Sequence, residues 1–424
     1  MPSPAYVAYC RAFQTVMRGA SYLLPWRKPR ILGNYAQMTQ ALGRRNIASV
    51  LLVTDGGLVS IGLNTELEQA LTDASIACHR FDQVVPNPTI GNVEDALHLY
   101  RSQGCQAIVA LGGGSPMDCA KAVAARLARP TRTVRGLGGL LKVHARIVPF
   151  VAIPTTAGTG SETTVAAVIS DPVTHEKYSI NDPSLIPHYA LLEPRLTAGL
   201  PPHITAATGM DALSHAVEAY IGHANTRQTR QDALTATALV FDNLRQAVNH
   251  GDDLQARANM QQAAYLGGTA FTRAYVGYIH AMSHQLSGLY GTVHGVGNTM
   301  LMPHVLEAYG AAAHKPLADL AVAAGLVDHV DNSVQRVGES QAVAAVDGPE
   351  IDDGITYADA AQAFIQAIRD LAAAVNLPTT EPKLREEDIP TLTQRALKEG
   401  NPVYPVPVIF GKTEIAALYR KAMG

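Results

Sequence analysis

From about residue 30 to 200, short apolar β-rich runs alternate with stretches of helical period. Ala48 to Val53, Ala107 to Leu111 and Val148 to Ile153 are the clearest strand candidates. Each runs directly into turn-forming residues: Thr54-Asp55-Gly56-Gly57, Gly112-Gly113-Gly114-Ser115 and Pro154-Thr155-Thr156. Leu63 to Ser75 reads as a helix. Strands alternating with helices predict an α/β unit built on an open parallel sheet. Past Pro201-Pro202 the strand runs vanish, and Ala/Leu-rich helical stretches continue to the end. The pattern therefore predicts an N-terminal extension over 1–29, an α/β domain over 30–202, and an all-α domain over 203–424. Residues 327–354, acidic and poor in large apolar side chains, are expected to be a surface excursion.

Composition narrows the class. The chain has 424 residues with 47% hydrophobic and 16% charged positions, enough for two ordinary domains. The net charge of −3 and the lack of a basic block argue against a nucleic-acid partner. Cys10, Cys78, Cys105 and Cys119 form no Cys-x-x-Cys pair, which suits a reducing, cytoplasmic setting. No apolar stretch reaches the roughly 18–20 residues of a membrane span. No Asp or Glu precedes Asp55, whereas Arg11, Arg18, Arg27, Lys28 and Arg30 do. That bias resembles an organelle transit peptide. The favoured reading is a short helix docked on the body, with Trp26 as an anchor.

Two loops carry the first chemical signal. Gly112, Gly113 and Gly114 follow a strand, and Pro116-Met-Asp118-Cys-Ala-Lys121 opens a helix. Absent side chains let backbone N–H groups reach phosphate oxygens, and a helix N-terminus adds positive partial charge. Pro116 suits the first turn, Ser115 is a candidate cap, and Asp118 is expected among the cofactor-binding residues. The second loop, Pro154 to Glu162, brings hydroxyls from Thr155, Thr156, Thr159 and Ser161 together with Gly158 and Gly160. Ligands of open α/β sheets bind at such strand ends. Asp55 also ends a strand. An acid there accepts hydrogen bonds from a ribose diol and repels a 2′-phosphate, favouring NAD over NADP.

The second signal lies in the helical half. Asp211 and His215 are four apart and share a helix face. His280 and His284 repeat that spacing among small and apolar residues, and His294 sits beside Gly295 and Gly297. One carboxylate oxygen and three imidazole nitrogens make a first shell for Fe(II) or Zn(II). Taken singly, each histidine reads more readily as a hydrogen-bonded core or surface residue, and the Asp–His pair as a helix ion pair.

Together the motifs resemble the iron-dependent (group III) alcohol dehydrogenase family. They are Gly112-Gly-Gly-Ser-Pro-x-Asp118, Pro154-Thr-Thr-Ala-Gly-Thr-Gly-Ser-Glu162, Gly209-Met-Asp211-Ala-Leu-x-His215-Ala-x-Glu218-Ala-Tyr220, His280-Ala-Met-x-His284 and His294-Gly295. The resemblance covers roughly residues 30–326 and 355–424. It implies a dinucleotide-binding α/β domain, a helical domain, and a metal held by Asp211, His215, His280 and His294. It makes His284 the additional site histidine, a candidate proton relay, with Phe271 lining the substrate pocket and Lys177 near the cofactor. It also implies NAD and Fe(II), a primary alcohol or its aldehyde as substrate, and a homodimer or larger assembly. The implied chemistry is hydride exchange between the alcohol carbon and the nicotinamide. Glycerol dehydrogenase-like polyol oxidation and a dehydroquinate synthase-like lyase are the rival enzyme readings. The lyase needs several basic residues for a phosphorylated acid, and the metal-site segments are poor in Arg and Lys.

Overall fold

The computed structural model describes residues 2–172, 176–327 and 355–424. It divides into two compact units: Leu24–Gly199, and Leu200–Gly424 together with the N-terminal Met1–Leu23. Most of the expected excursion, 328–354, lies outside the described residues.

The described residues of the first unit contain nine strands: β1 (Arg30–Leu32), β2 (Ser49–Val53), β3 (Ala77–Phe81), β4 (Ala107–Gly112), β5 (Gly139–Leu140), β6 (Phe150–Pro154), β7 (Ala166–Asp171), β8 (Glu176–Asn181) and β9 (Tyr189–Leu191). Six form one sheet in the order β1-β9-β6-β4-β2-β3, every pairing parallel. The others form a small sheet, β5-β8-β7. In the large sheet, Leu51, Val53, Ile108 and Ala110 enter one core. Their alternates Val50, Leu52, Ala107 and Val109 enter another. Period-two alternation between two buried faces explains why these strands read as unbroken apolar runs.

The chain moves from β2 to β3 on one side, then returns past β2 to β4. The β2/β4 boundary is thus the topological switch point, where this sheet class binds ligands beyond the carboxyl ends of its strands. The register Gly112↔Pro154 also sets the ends of β4 and β6 side by side.

The second unit is helical. Four of its long helices are α3 (Pro202–Ile221), α4 (Arg227–Asn249), α5 (Leu254–Ala274) and α7 (His294–Tyr309), numbered after α1 (Pro4–Ser21) at the N-terminus and α2 (Gly114–Ala128) in the sheet unit. Between α5 and α7 lies α6 (Tyr278–Tyr290), and α8 (Ile389–Gly400) follows near the C-terminus. From Gly209 to Ile221 every α3 residue is buried, so this stretch of the helix has no solvent face.

Three local expectations shift. The helix read over Leu63–Ser75 is Thr65–Asp73. Strand β6 begins at Phe150, after Pro149, which lacks the N–H a ladder needs. Ser115 is not a helix cap. Gly113 holds the cap position of α2, and Ser115 lies in the first turn, where its Oγ accepts from the Asn87 N–H at 3.3 Å.

Candidate functional site

Three helices build the centre of the helical unit. Asp211 and His215 lie one turn apart on α3, His280 lies in the first turn of α6, and His294 is the first residue of α7. Asp211 Oδ1 is 3.3 Å from His294 Nε2, 3.8 Å from His280 Nε2 and 4.0 Å from His215 Nε2. All four donor atoms lie within 4.8 Å of one another. Donors on a tetrahedral metal with bonds of about 2.1 Å stand about 3.4 Å apart, so this set needs only small adjustments to surround one ion.

Close helix packing makes the convergence possible. A Cβ built on Gly295 would lie 2.0 Å from the Ala207 carbonyl oxygen and 3.2 Å from Asp211 Cβ. Only a glycine lets the start of α7 touch α3 there. Orientation comes from partners behind the donors. The Glu218 carboxylate lies two turns beyond Asp211 and is 2.6 Å from His280 Nδ1, while its other oxygen accepts from the Ile279 N–H at 2.8 Å. Burial lifts Glu218 to about 8, against the backbone N–H groups that lower it; in its ionised form, which a bound cation would favour, it selects the His280 tautomer whose Nε2 lone pair faces Asp211. The His215 ring stacks on Phe271 at 4.1 Å and on His280 at 4.6 Å.

The electrostatics suit a cation. Burial would raise the Asp211 carboxyl, but His215, His294 and Asn298 outweigh it and hold it at about 2. Burial, reinforced by the neighbouring histidines, pushes His280 well below its usual value, leaving a neutral imidazole. Burial alone would lower His294 too. Asp211 and Glu399 reverse the sign and raise it, so the spot draws positive charge. Asn298 Nδ2 lies 2.8 Å from Asp211 Oδ1, 3.2 Å from Ser214 Oγ, 3.2 Å from His280 Nε2 and 3.3 Å from His294 Nε2. Two amide protons cannot serve four such positions, and a cation among them relieves the excess of lone pairs.

His284 lies one turn beyond His280, with its side chain 43% exposed. Its ring stacks on His294 at 5.0 Å, and its Nδ1 is 2.6 Å from Glu399 Oε1.

In the sheet unit the predicted loop residues gather at adjoining strand ends. Gly112, at φ +151, adopts a backbone conformation that side chains avoid, and a Cβ there would strike Pro116 at 2.5 Å. The Thr155 N–H donates to the Gly112 carbonyl at 3.1 Å, and Thr156 stands 3.5 Å from the Cβ position of Gly113. Thr159 Oγ1 accepts from the Ser161 N–H at 3.3 Å. Asp55 caps the short helix Gly56–Ser60 through the Leu58 N–H at 3.0 Å. Lys177 Nζ donates to Asn87 Oδ1 at 2.9 Å.

Asp118 has internal partners. It accepts from Ser161 Oγ and the Val168 N–H, both at 3.1 Å. Lys121, fully buried, donates to Thr164 Oγ1 at 2.7 Å, the Ala166 carbonyl at 2.9 Å and Ser161 Oγ at 3.1 Å. Burial brings Lys121 down to about 8 and lifts Glu162 to about 7, each opposed by nearby opposite charge. Asp118 and Lys121 thus tie the first loop's helix to the second loop from below.

A doubly wound parallel sheet and a carboxylate–trihistidine cluster able to hold a metal ion are the two features to set against known proteins. Residues 31–194 match the family described as iron-containing alcohol dehydrogenase, and 205–423 match that family's C-terminal domain. The chain is 37% identical to 1,3-propanediol dehydrogenase of Citrobacter freundii over 408 residues, 95% of this chain and 98% of that protein. The crystal structure of a 1,3-propanediol oxidoreductase superposes with a TM-score of 0.83 at 35% identity, covering 94% of this chain and 98% of the other. A sulfoacetaldehyde reductase from Bifidobacterium kashiwanohense, in complex with NAD+, superposes with a TM-score of 0.78 at 26% identity over 94% and 98% of the two chains. The chain belongs to the iron-containing alcohol dehydrogenase family, whose chemistry is the interconversion of alcohols and aldehydes.

Sequence reasoning gave no role to Glu218, Asn298 or Glu399. For the first two a signal was present. Glu218 is seven residues after Asp211 on the same helix stripe, and Asn298 is four after His294. Glu399 comes from a distant helix and had none.

Proposed function

We propose that this protein is an NAD-linked alcohol dehydrogenase, or aldehyde reductase, acting on a small primary alcohol, with Fe(II) held by Asp211, His215, His280 and His294. The observation that carries the metal assignment is the convergence of those four donor atoms within 4.8 Å, in a nest that lowers the carboxyl and draws positive charge. When bound, Fe(II) would supply Lewis acidity toward the substrate oxygen; Zn(II) suits the same donors.

The protein's own groups do the rest. Glu218 orients His280, and Asn298 stands against Asp211. Phe271 presents an aromatic wall beside His215, and His284 offers a partly exposed imidazole as proton relay. Gly112, Gly113, Gly114 and Ser115, with Thr155, Thr156 and Thr159, cradle the NAD phosphates. Asp118 braces that cradle, and Lys177 stands at its edge. Asp55 takes the ribose diol and disfavours NADP. Among the described residues no helix is long and apolar enough to cross a membrane.

The test is a panel of primary alcohols, diols and aldehydes with NAD and NADP, on protein whose metal has been identified by elemental analysis. Net NADH formation from a primary alcohol supports the reading. A transformation with no net NADH points to the lyase chemistry, and preference for a vicinal polyol points to glycerol dehydrogenase-like oxidation.

A further inference from the structure

Helix α1 turns polar as well as apolar side chains inward: Cys10 is fully buried, and Gln14 and Ser21 are buried with it. Tyr6, Tyr9 and Val16 are 40%, 56% and 69% exposed, while Gln14 is only 7% exposed. A surface helix ordinarily turns its apolar stripe inward. Beside the fully buried Cys10, α1 also turns inward hydrogen-bonding capacity, and it is spent on one segment. Gln14 Nε2 donates to the carbonyls of Tyr404 at 2.7 Å and Pro402 at 3.1 Å. Arg11 donates to the carbonyls of Val406 and Pro407, both at 2.7 Å, and to Gln14 Oε1 at 2.9 Å. Residues 402–407 form no helix or strand. Their carbonyls lack ladder partners, and these side chains supply them.

The clamped segment leads to the site. The Tyr404 hydroxyl donates to Glu399 Oε1 at 3.0 Å, and Gln285 Nε2 donates to Glu399 Oε2 at 2.9 Å. The same Glu399 Oε1 is 2.6 Å from Nδ1 of His284, whose ring stacks on His294. A carboxylate held from two sides fixes both the plane and the tautomer of the imidazole it binds. We infer that Glu399 is the positioning residue for His284, and that Arg11 and Gln14 on α1 set Glu399 through Tyr404. The match to the family model begins at residue 31, after α1. This inference rests on the relay role proposed for His284.

The test compares Glu399→Ala, Glu399→Gln and the double variant Arg11→Ala/Gln14→Ala in the full metal-loaded chain. Loss of an orienting partner costs about tenfold to a hundredfold in activity. Glu399→Ala should lose that much kcat per bound metal, with the KM for NAD unchanged. Glu399→Gln retains an oxygen that can accept from Nδ1–H and should regain most of the loss. In the double variant, backbone hydrogen exchange across 399–410 should rise and kcat should fall severalfold. The inference is overturned by wild-type kcat in Glu399→Ala, by equal impairment in Glu399→Gln, or by unchanged exchange in the double variant. If the unaltered protein turns over no alcohol, the functional reading fails, and the exchange measurement still decides whether the clamp exists.

Discussion

Gly295→Ala tests whether the helix contact that gathers the donors is as tight as it looks. The added Cβ would lie 2.0 Å from the Ala207 carbonyl oxygen and 2.7 Å from its carbon. An ordinary carbon–oxygen approach is about 3.3 Å, so α7 and α3 must separate by about 1 Å. Asp211 stands one turn beyond Ala207, and His294 is the neighbour of Gly295, so the 3.3 Å Asp211–His294 separation widens with the helices. Overpacking of this kind costs about 1–3 kcal/mol of stability, and disturbed support of a metal ligand costs about tenfold to a hundredfold in affinity. The assay is metal per chain against graded chelator, beside denaturant unfolding of the same samples. Gly288→Ala on α6 is the control. Gly288 is exposed, and nothing lies within 4 Å of its Cβ position. That change should stabilise the protein by about 0.5–1 kcal/mol and leave metal binding alone. If Gly295→Ala holds metal like the parent and unfolds within about 0.5 kcal/mol of it, the packing argument is wrong.

His280→Ala removes one of four donors and should strip most of the metal and abolish turnover; normal metal content in that variant would refute the assignment. Glu218→Ala should weaken metal binding about tenfold to a hundredfold while His280 remains in place, read by competition with a chelator. Asp55→Ser keeps a side chain able to cap Gly56–Ser60 but removes the charge, so the NADP-to-NAD ratio of kcat/KM should rise; an unchanged ratio would count against the ribose role. Burial, with Arg27, Arg45 and Arg146 adding to it, holds His188 down at about 4 against an ordinary 6.5. Its folded value lies below its unfolded one, so its stabilisation is complete above about pH 6.5 and is lost as pH falls toward about 4. Denaturant unfolding at pH 7.5 and pH 5 should show the parent losing about 1–2 kcal/mol relative to His188→Gln, after allowance for partial solvent screening.

Much of the sheet unit was legible because its strands are buried on both faces. Val50 to Val53 and Ala107 to Leu111 stand out as unbroken apolar runs, and the turn residues after them mark the carboxyl ends of the strands. The donor cluster was legible because i,i+4 spacing survives folding unchanged: Asp211 and His215 had to share a face wherever α3 went. What spacing cannot carry is contact between distant segments. Glu399 reaches His284 across 115 positions, and Arg11 reaches Val406 across 395. The inward turn of Asp118 was also invisible, because its partners Ser161 and Val168 come from a different loop and strand. Ser115 misled for a related reason. Serine favours cap positions, but Gly113 can take the required extended conformation, and the helix starts earlier.

The central claim is that Asp211, His215, His280 and His294 hold the metal on which alcohol oxidation depends. The most direct measurement is an Fe(II) titration of metal-stripped protein, followed by NAD reduction with a primary alcohol. Activity should be absent at the start and rise linearly to a break near one iron per chain, with no rise in His280→Ala. Full activity in the stripped protein, or an equal rise in the variant, would contradict the account.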